Sequence, residues 1–121
     1  MTNLDMSVPA VLRRAAEVYQ RNGAHKGSYY NAQQEREGVP VSECRVCVLG
    51  AIDIAAGGAP ASFPDAGDQP RLVLAGHLGI DTSEAHVDGD VAAWHDARQT
   101  TPKQVVEALL AAAAAAEAVA S

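Results

Sequence analysis

The only two cysteines, Cys44 and Cys47, form a Cys-x-x-Cys pair in "SECRVCVLGAIDIAAGG" (42–58), at the start of an apolar run. That spacing is compatible with three chemistries. A thiol pair at a strand-to-helix turn exchanges disulfides, because a helix N-terminus stabilises a thiolate. Two cysteines can also form half of a tetrahedral zinc site. Alternatively the sulfurs are simply buried, since free cysteine behaves as a small hydrophobe. The redox chemistry needs a β-α-β setting, whereas an amphipathic helix and a weak hairpin pattern precede this pair. Zinc needs further ligands, and His25, His77, His86 and His95 contain no His-x3–5-His pair. Packing is therefore expected, with Cys47 inside on a helix and Cys44 half-exposed. A zinc- or thiol-dependent protein using Cys44 and Cys47 is the alternative, and no cofactor is expected.

A second suggestive stretch is "AWHDARQTTP" (93–102), where His95 adjoins Asp96 as a general base adjoins its orienter. Neighbouring residues on a helix point in different directions, however, and no nucleophile elbow of the Gly-x-Ser-x-Gly kind is present. A structural role explains more. Trp94 anchors the core, and Asp96 bonds backbone amides in the turn before Thr101. An enzyme with a site around Trp94, His95 and Asp96 is the weaker alternative. "DTSEAHVDGD" (81–90) is acidic but lacks the register of an EF-hand loop. Neither "GG" (57–58) nor "LAGHLG" (74–79) has the strand and lysine of a phosphate loop.

The elements carrying these residues read as mainly helical. Ser7 caps and Pro9 enters a helix over about 8–22, with Val8, Val11, Leu12, Ala15 and Tyr19 on one face and Gly23 at its end. In 27–46, Tyr29-Tyr30 and "VPVSECRV" predict a short β-hairpin, a packed loop being the other option. "CVLGAIDIA" is apolar nearly all round and predicts a buried helix ending at Gly57-Gly58. A loop over 59–70 leads to a short helix from Pro70 to Gly79. Val87, Val91 and Trp94 then lie at i, i+4 and i+7, which predicts a helical segment aiming the tryptophan inward. Thr101-Pro102-Lys103-Gln104 is a capping box that starts the last helix. The expected fold is a small bundle of four to five helices with one short hairpin after the first. It forms a single domain over 1–121, ordered over about 7–117.

The composition narrows the partners. Alanine supplies 25 residues, as many as Ile, Leu, Val and Phe together, so the core is thin and extra apolar surface needs covering. A net charge of −6 with scattered Lys and Arg opposes nucleic acid and anionic membranes. No run is long enough to cross a membrane, and "MTNLDMSVPA" does not read as a secretory signal. Two cysteines without an export signal fit reduced thiols in a cytoplasm.

Taken together, "VLRRAAEVYQRNG", "CVLGAIDIA" and "VAAWHDARQTTPKQVVEALLAAAAAA" resemble a family of small actinobacterial and actinophage proteins known as a domain of unknown function, over about residues 8–117. Cys47, Gly50, Ala51 and Ile52 fall on its Cys-x-x-Gly-Ala-Ile block. Trp94 and Asp96 fall on its Trp-Asn-Asp block, with His95 replacing the asparagine, and Thr101 caps its closing helix. The resemblance implies a phage or actinobacterial origin and a cytoplasmic location, supplies no mechanism, and implies that Cys47 rather than Cys44 matters. Gly50 would then admit a neighbouring helix. The expected function is non-enzymatic: an accessory protein that binds another protein, a host protein or a second copy of itself.

Overall fold

Ser7 starts the first helix, α1 (Val8–Asn22), by accepting the Ala10 amide on its Oγ at 3.4 Å, and Pro9 lies in the first turn. Gly23 ends it in the left-handed region (φ 95°), its amide bonded to the Tyr19 carbonyl. The structure, a computed structural model, describes residues 4–120. Five further α-helices follow among them: α2 (Ala32–Arg36), α3 (Val48–Ala55), α4 (Asp68–His77), α5 (Val87–Asp96) and α6 (Pro102–Ala120). Two 3-10 turns, Val41–Glu43 and Asp65–Gly67, complete the elements. α1 is the hub, packed most extensively on α6 and α3, while α5 leans on α3 and α4.

α6 begins with the expected capping box. Thr101 Oγ1 accepts the Gln104 amide at 3.2 Å, and Gln104 Oε1 accepts the Thr101 amide at 2.9 Å. Its inner row is Val105, Leu109, Ala112 and Ala113, against which α1 presents Val11, Leu12, Ala15 and Ala16 on its buried face. Small side chains on both helices let them approach closely.

The hairpin expected within 27–46 is not present. Asn31 caps α2 by accepting the Gln34 amide at 3.1 Å, which turns "AQQER" into a helix. Pro40 has no amide proton to donate, and the 3-10 turn follows it. Pairing is left only at isolated bridges, where Val46 meets Ala24 on one side and Tyr30 on the other. α2 is thus the helix beyond the four or five expected.

Two expectations about orientation also change. In α5 the buried row is Val87, Val91 and His95, at i, i+4 and i+8, and Trp94 is only half-buried at its edge. The side that meets α3 and α4 takes His95 inward rather than the larger ring. Gly50 does admit a close neighbour, but the neighbour is a loop. A Cβ there would lie 2.4 Å from the Tyr29 carbonyl oxygen.

Candidate functional site

Cys47 stands before α3 as its N-cap, with Sγ accepting the Gly50 amide at 3.4 Å. Its own amide bonds the Tyr29 carbonyl at 3.1 Å, which pins the 27–29 loop across the start of the helix. From the other side α5 brings Asp88, Gly89, Ala92 and Asp96. Between these segments lies a pit of about 140 Å³, with Cys47 and Leu49 in its wall and Tyr29 beside them.

The pit adjoins a hydrogen-bonded chain whose histidine and tyrosine are buried and whose carboxylate reaches the surface. His95 Nδ1 is 3.0 Å from Asp96 Oδ1, and His95 Nε2 is 2.9 Å from the Tyr19 hydroxyl. Burial pulls the imidazole below its ordinary value, against the opposing pull of Asp96. An ionised Asp96 can only accept, so in the neutral ring Nδ1 carries the proton and Nε2 accepts from Tyr19. Burial, with the Cys47 and Asp96 charges added, pushes the Tyr19 phenol up to about 12. Adjacent His95 and Asp96 therefore do meet, contrary to the sequence expectation. Asp96 does not bond the backbone amides of the turn. The Thr100 hydroxyl holds that turn through the Trp94 carbonyl at 2.7 Å, and Lys26 Nζ bonds the carbonyls of Ala97 and Thr100.

The two cysteines are free, buried and hydrogen-bonded to different parts of the backbone. Cys44 is buried rather than half-exposed, its thiol directed at the Pro40 and Val39 carbonyls at 3.5 and 3.8 Å. Desolvation raises its pKa. Cys47 is pushed up to about 11 by burial, which outweighs the lowering by the Gly50 and Leu49 amides. A thiol at that value is protonated at neutral pH, which is a poor state for a nucleophile. Among the described residues no three His, Cys, Asp or Glu side chains are grouped to hold a metal ion. Ala51 and Ile52 of the same block are core residues with no exposure.

Sequence reasoning missed a charged centre next to this block. Asp53 is fully buried, and its Oδ1 lies 3.4 Å from Arg71, itself buried. Asp53 Oδ2 accepts the Ala61 amide at 2.8 Å, holding a loop in which Ala61 and Phe63 have φ of 70° and 51°. Arg71 also pairs with Asp68, lies 3.6 Å from Asp88, and sits 5.3 Å over the Phe63 ring. Burial raises the Asp53 carboxyl to about 6, its amide and Arg71 contacts notwithstanding. The available signal was a lone carboxylate inside "AIDIA", a run apolar on every other side.

At the far end of α1 lies a different surface. Val8, Pro9, Val73, Ala115, Ala116 and Val119, with Ser7, line an open groove of about 520 Å³. No charged side chain enters its lining, and Val119 is 88% exposed.

An all-helical domain with a carboxylate–imidazole–phenol chain, buried at its histidine and tyrosine, and a separate apolar groove is the class that fold and sites define. The chain belongs to a family of unknown function, DUF6197, whose model matches residues 4–115. No curated protein and no solved structure matches it. Among the described residues no helix is long and apolar enough to cross a membrane.

Proposed function

We propose that this protein is a non-enzymatic accessory factor that works by binding another protein through the groove between the start of α1, α4 and the end of α6. One observation carries the proposal: a charge-free apolar groove of about 520 Å³ on a chain whose net charge is −6. Apolar surface left open in a groove on a small charged domain is a place where a partner's apolar side chains can be buried. The partner is a protein presenting an amphipathic helix, whose apolar anchors replace water against Val8, Val73 and Val119. The sequence resemblance supports a cytoplasmic, phage or actinobacterial setting, with a bacterial host protein as the target.

The enzyme alternative around Trp94, His95 and Asp96 has less support, since both ring nitrogens of His95 are engaged within the protein. The thiol alternative has less support, since Cys47 is buried and its Sγ already accepts the Gly50 amide. The test compares tagged wild type with Val119→Glu and with Lys103→Glu, which lies at the opposite end of α6. The expected result is one protein recovered in stoichiometric amount with wild type and Lys103→Glu but lost with Val119→Glu. Recovery indifferent to Val119→Glu contradicts the proposal. Recovery of a second copy of the chain alone replaces the host partner with self-association.

A further inference from the structure

We infer that residues 59–64 form a pH-sensitive strap, closed over Asp53 and Arg71 while the Asp53 carboxyl carries a proton and released when it ionises. The strap contributes no residue to the groove proposed as the protein-binding surface, so either reading can fail without the other.

The strap is strained and tied down at one place. Ala61 and Phe63 are held at φ of 70° and 51°, where a side chain crowds its own backbone. Ser62 bonds locally, its amide and hydroxyl both donating to the Ala59 carbonyl at 3.0 and 2.6 Å. Among the described residues, the one hydrogen-bonding partner that 59–63 finds elsewhere in the chain is Asp53. Its Oδ2 accepts the Ala61 amide at 2.8 Å, and the carboxylate also faces the Phe63 amide. Phe63 lies over Arg71 and edge-on to the Tyr29 ring at 5.4 Å, yet it stays 41% exposed. Gly57 (φ 95°) and Gly58 lead into the strap and can absorb a change of backbone direction. Release therefore relieves strain and needs only the Asp53 contacts and an incomplete aromatic contact to give way.

The charge beneath the strap is unbalanced. Arg71 is one cation shared by Asp53, by Asp68 of its own helix and by Asp88 of α5. It lies nearest Asp68, and its 3.4 Å to Asp53 exceeds the about 2.7–2.9 Å of a charge-assisted bond. With no exposure, Asp53 draws no compensation from bulk water while the strap is closed. Protonated on Oδ1, it keeps its Oδ2 bond to Ala61 and leaves Arg71 to the other two carboxylates. The 3-10 turn after the strap adds only Asp65, an exposed carboxylate. On α1, Arg14 is bonded to the Ala55 carbonyl, and Glu84 and His86 line the open cleft beside Arg71. Burial pushes the nearby Tyr29 phenol and Cys47 thiol up, so both are neutral where Asp53 titrates. The closed carboxyl titrates at about 6, whereas water restores the ordinary 3.8 once the strap opens. Closure is thus fully favoured below 3.8 and weakens as pH rises through 6. Across that range the open-to-closed ratio rises by up to about 100-fold.

Phe63 is the only phenylalanine, so incorporation of fluorophenylalanine gives the full chain a single fluorine resonance that reports on the strap. The experiment follows that resonance by NMR from pH 4.5 to pH 8, with amide spectra recorded on the same samples. In the wild type it is expected to move between pH 5 and pH 7 toward its position in urea, while the amides of α1 and α6 stay in place. Asp53→Asn keeps an acceptor for the Ala61 amide and cannot ionise, so its resonance stays at the low-pH position throughout. His86→Gln titrates as the wild type does, and Ala61→Gly, which relieves the left-handed backbone, moves the change to higher pH. A wild-type resonance that does not move overturns the inference without recourse to any variant. So does a titration that persists in Asp53→Asn or vanishes in a folded His86→Gln, and so does a movement that accompanies loss of the α6 amides.

Discussion

His95 and Asp53 are two fully buried titratable side chains whose pKa values move in directions that oppose each other in the stability of the fold. The folded imidazole titrates below its ordinary value of 6.5, so as pH falls through 6.5 the unfolded chain takes up its proton first. His95 thus contributes stability above that pH and loses it on acidification. The folded Asp53 carboxyl titrates at about 6, above the ordinary 3.8. Between those values the folded state holds the extra proton, so Asp53 favours folding as pH falls, by up to about 3 kcal/mol. Urea unfolding at pH 7 and pH 5 separates the two. Relative to wild type, His95→Gln gains stability on acidification and Asp53→Asn loses it; equal responses in both variants would contradict these burial assignments. The cysteines give another residue-scale prediction. With Cys47 at about 11 and Cys44 buried, a disulfide reagent at pH 8 labels the native thiols about 100-fold more slowly than those of the urea-unfolded chain. Rapid labelling of Cys47 in the folded protein would revive the thiol alternative.

At the scale of elements, the parts set by local chemistry were legible in the sequence and those set by tertiary contact were not. Ser7, Pro9 and Gly23 bound α1, and Thr101 with Gln104 caps α6, because caps depend on residues three or four positions apart. The 27–46 segment misled, because "YY" and "VPV" carry strand propensity, whereas Asn31 capping α2 and the missing Pro40 amide decide the outcome. The candidate site was half legible. Cys47 and Asp96 stand out by residue type, but their meeting across α3 and α5 is a long-range contact that periodicity does not encode. Trp94 and His95 share one apolar arc on α5, and only the packing on α3 and α4 determines which turns inward. Gly50 offers the sharpest test of that packing. Gly50→Ala is expected to cost about 1–3 kcal/mol, because its Cβ would collide with the Tyr29 carbonyl. Gly76→Ala in α4 meets nothing within 4 Å and is expected to stabilise by about 0.5–1 kcal/mol. Thermal unfolding of both variants checks the pair, and a neutral Gly50→Ala would rule out the close approach.

For the whole molecule, the decisive quantity is how little large apolar side chain the core contains. Leu12, Leu49, Ile52, Leu74 and Leu109 are its largest fully buried aliphatic members, and alanines fill much of the remainder. Buried Leu or Ile contributes about 1.5–3 kcal/mol and alanine far less, so the fold gains from any partner that covers more apolar surface. Part of the uncovered apolar surface lies where α1 begins and α6 ends, with Val119 fully presented. Macromolecular binding is assigned to that groove. Photo-crosslinking from a benzophenone side chain at position 119, in cells that express the protein natively, measures that assignment most directly, with the same group at position 103 as reference. The account predicts a discrete crosslinked species from position 119, absent from position 103 and suppressed by Val73→Glu. No adduct from position 119, or the same adducts from both positions, would contradict it.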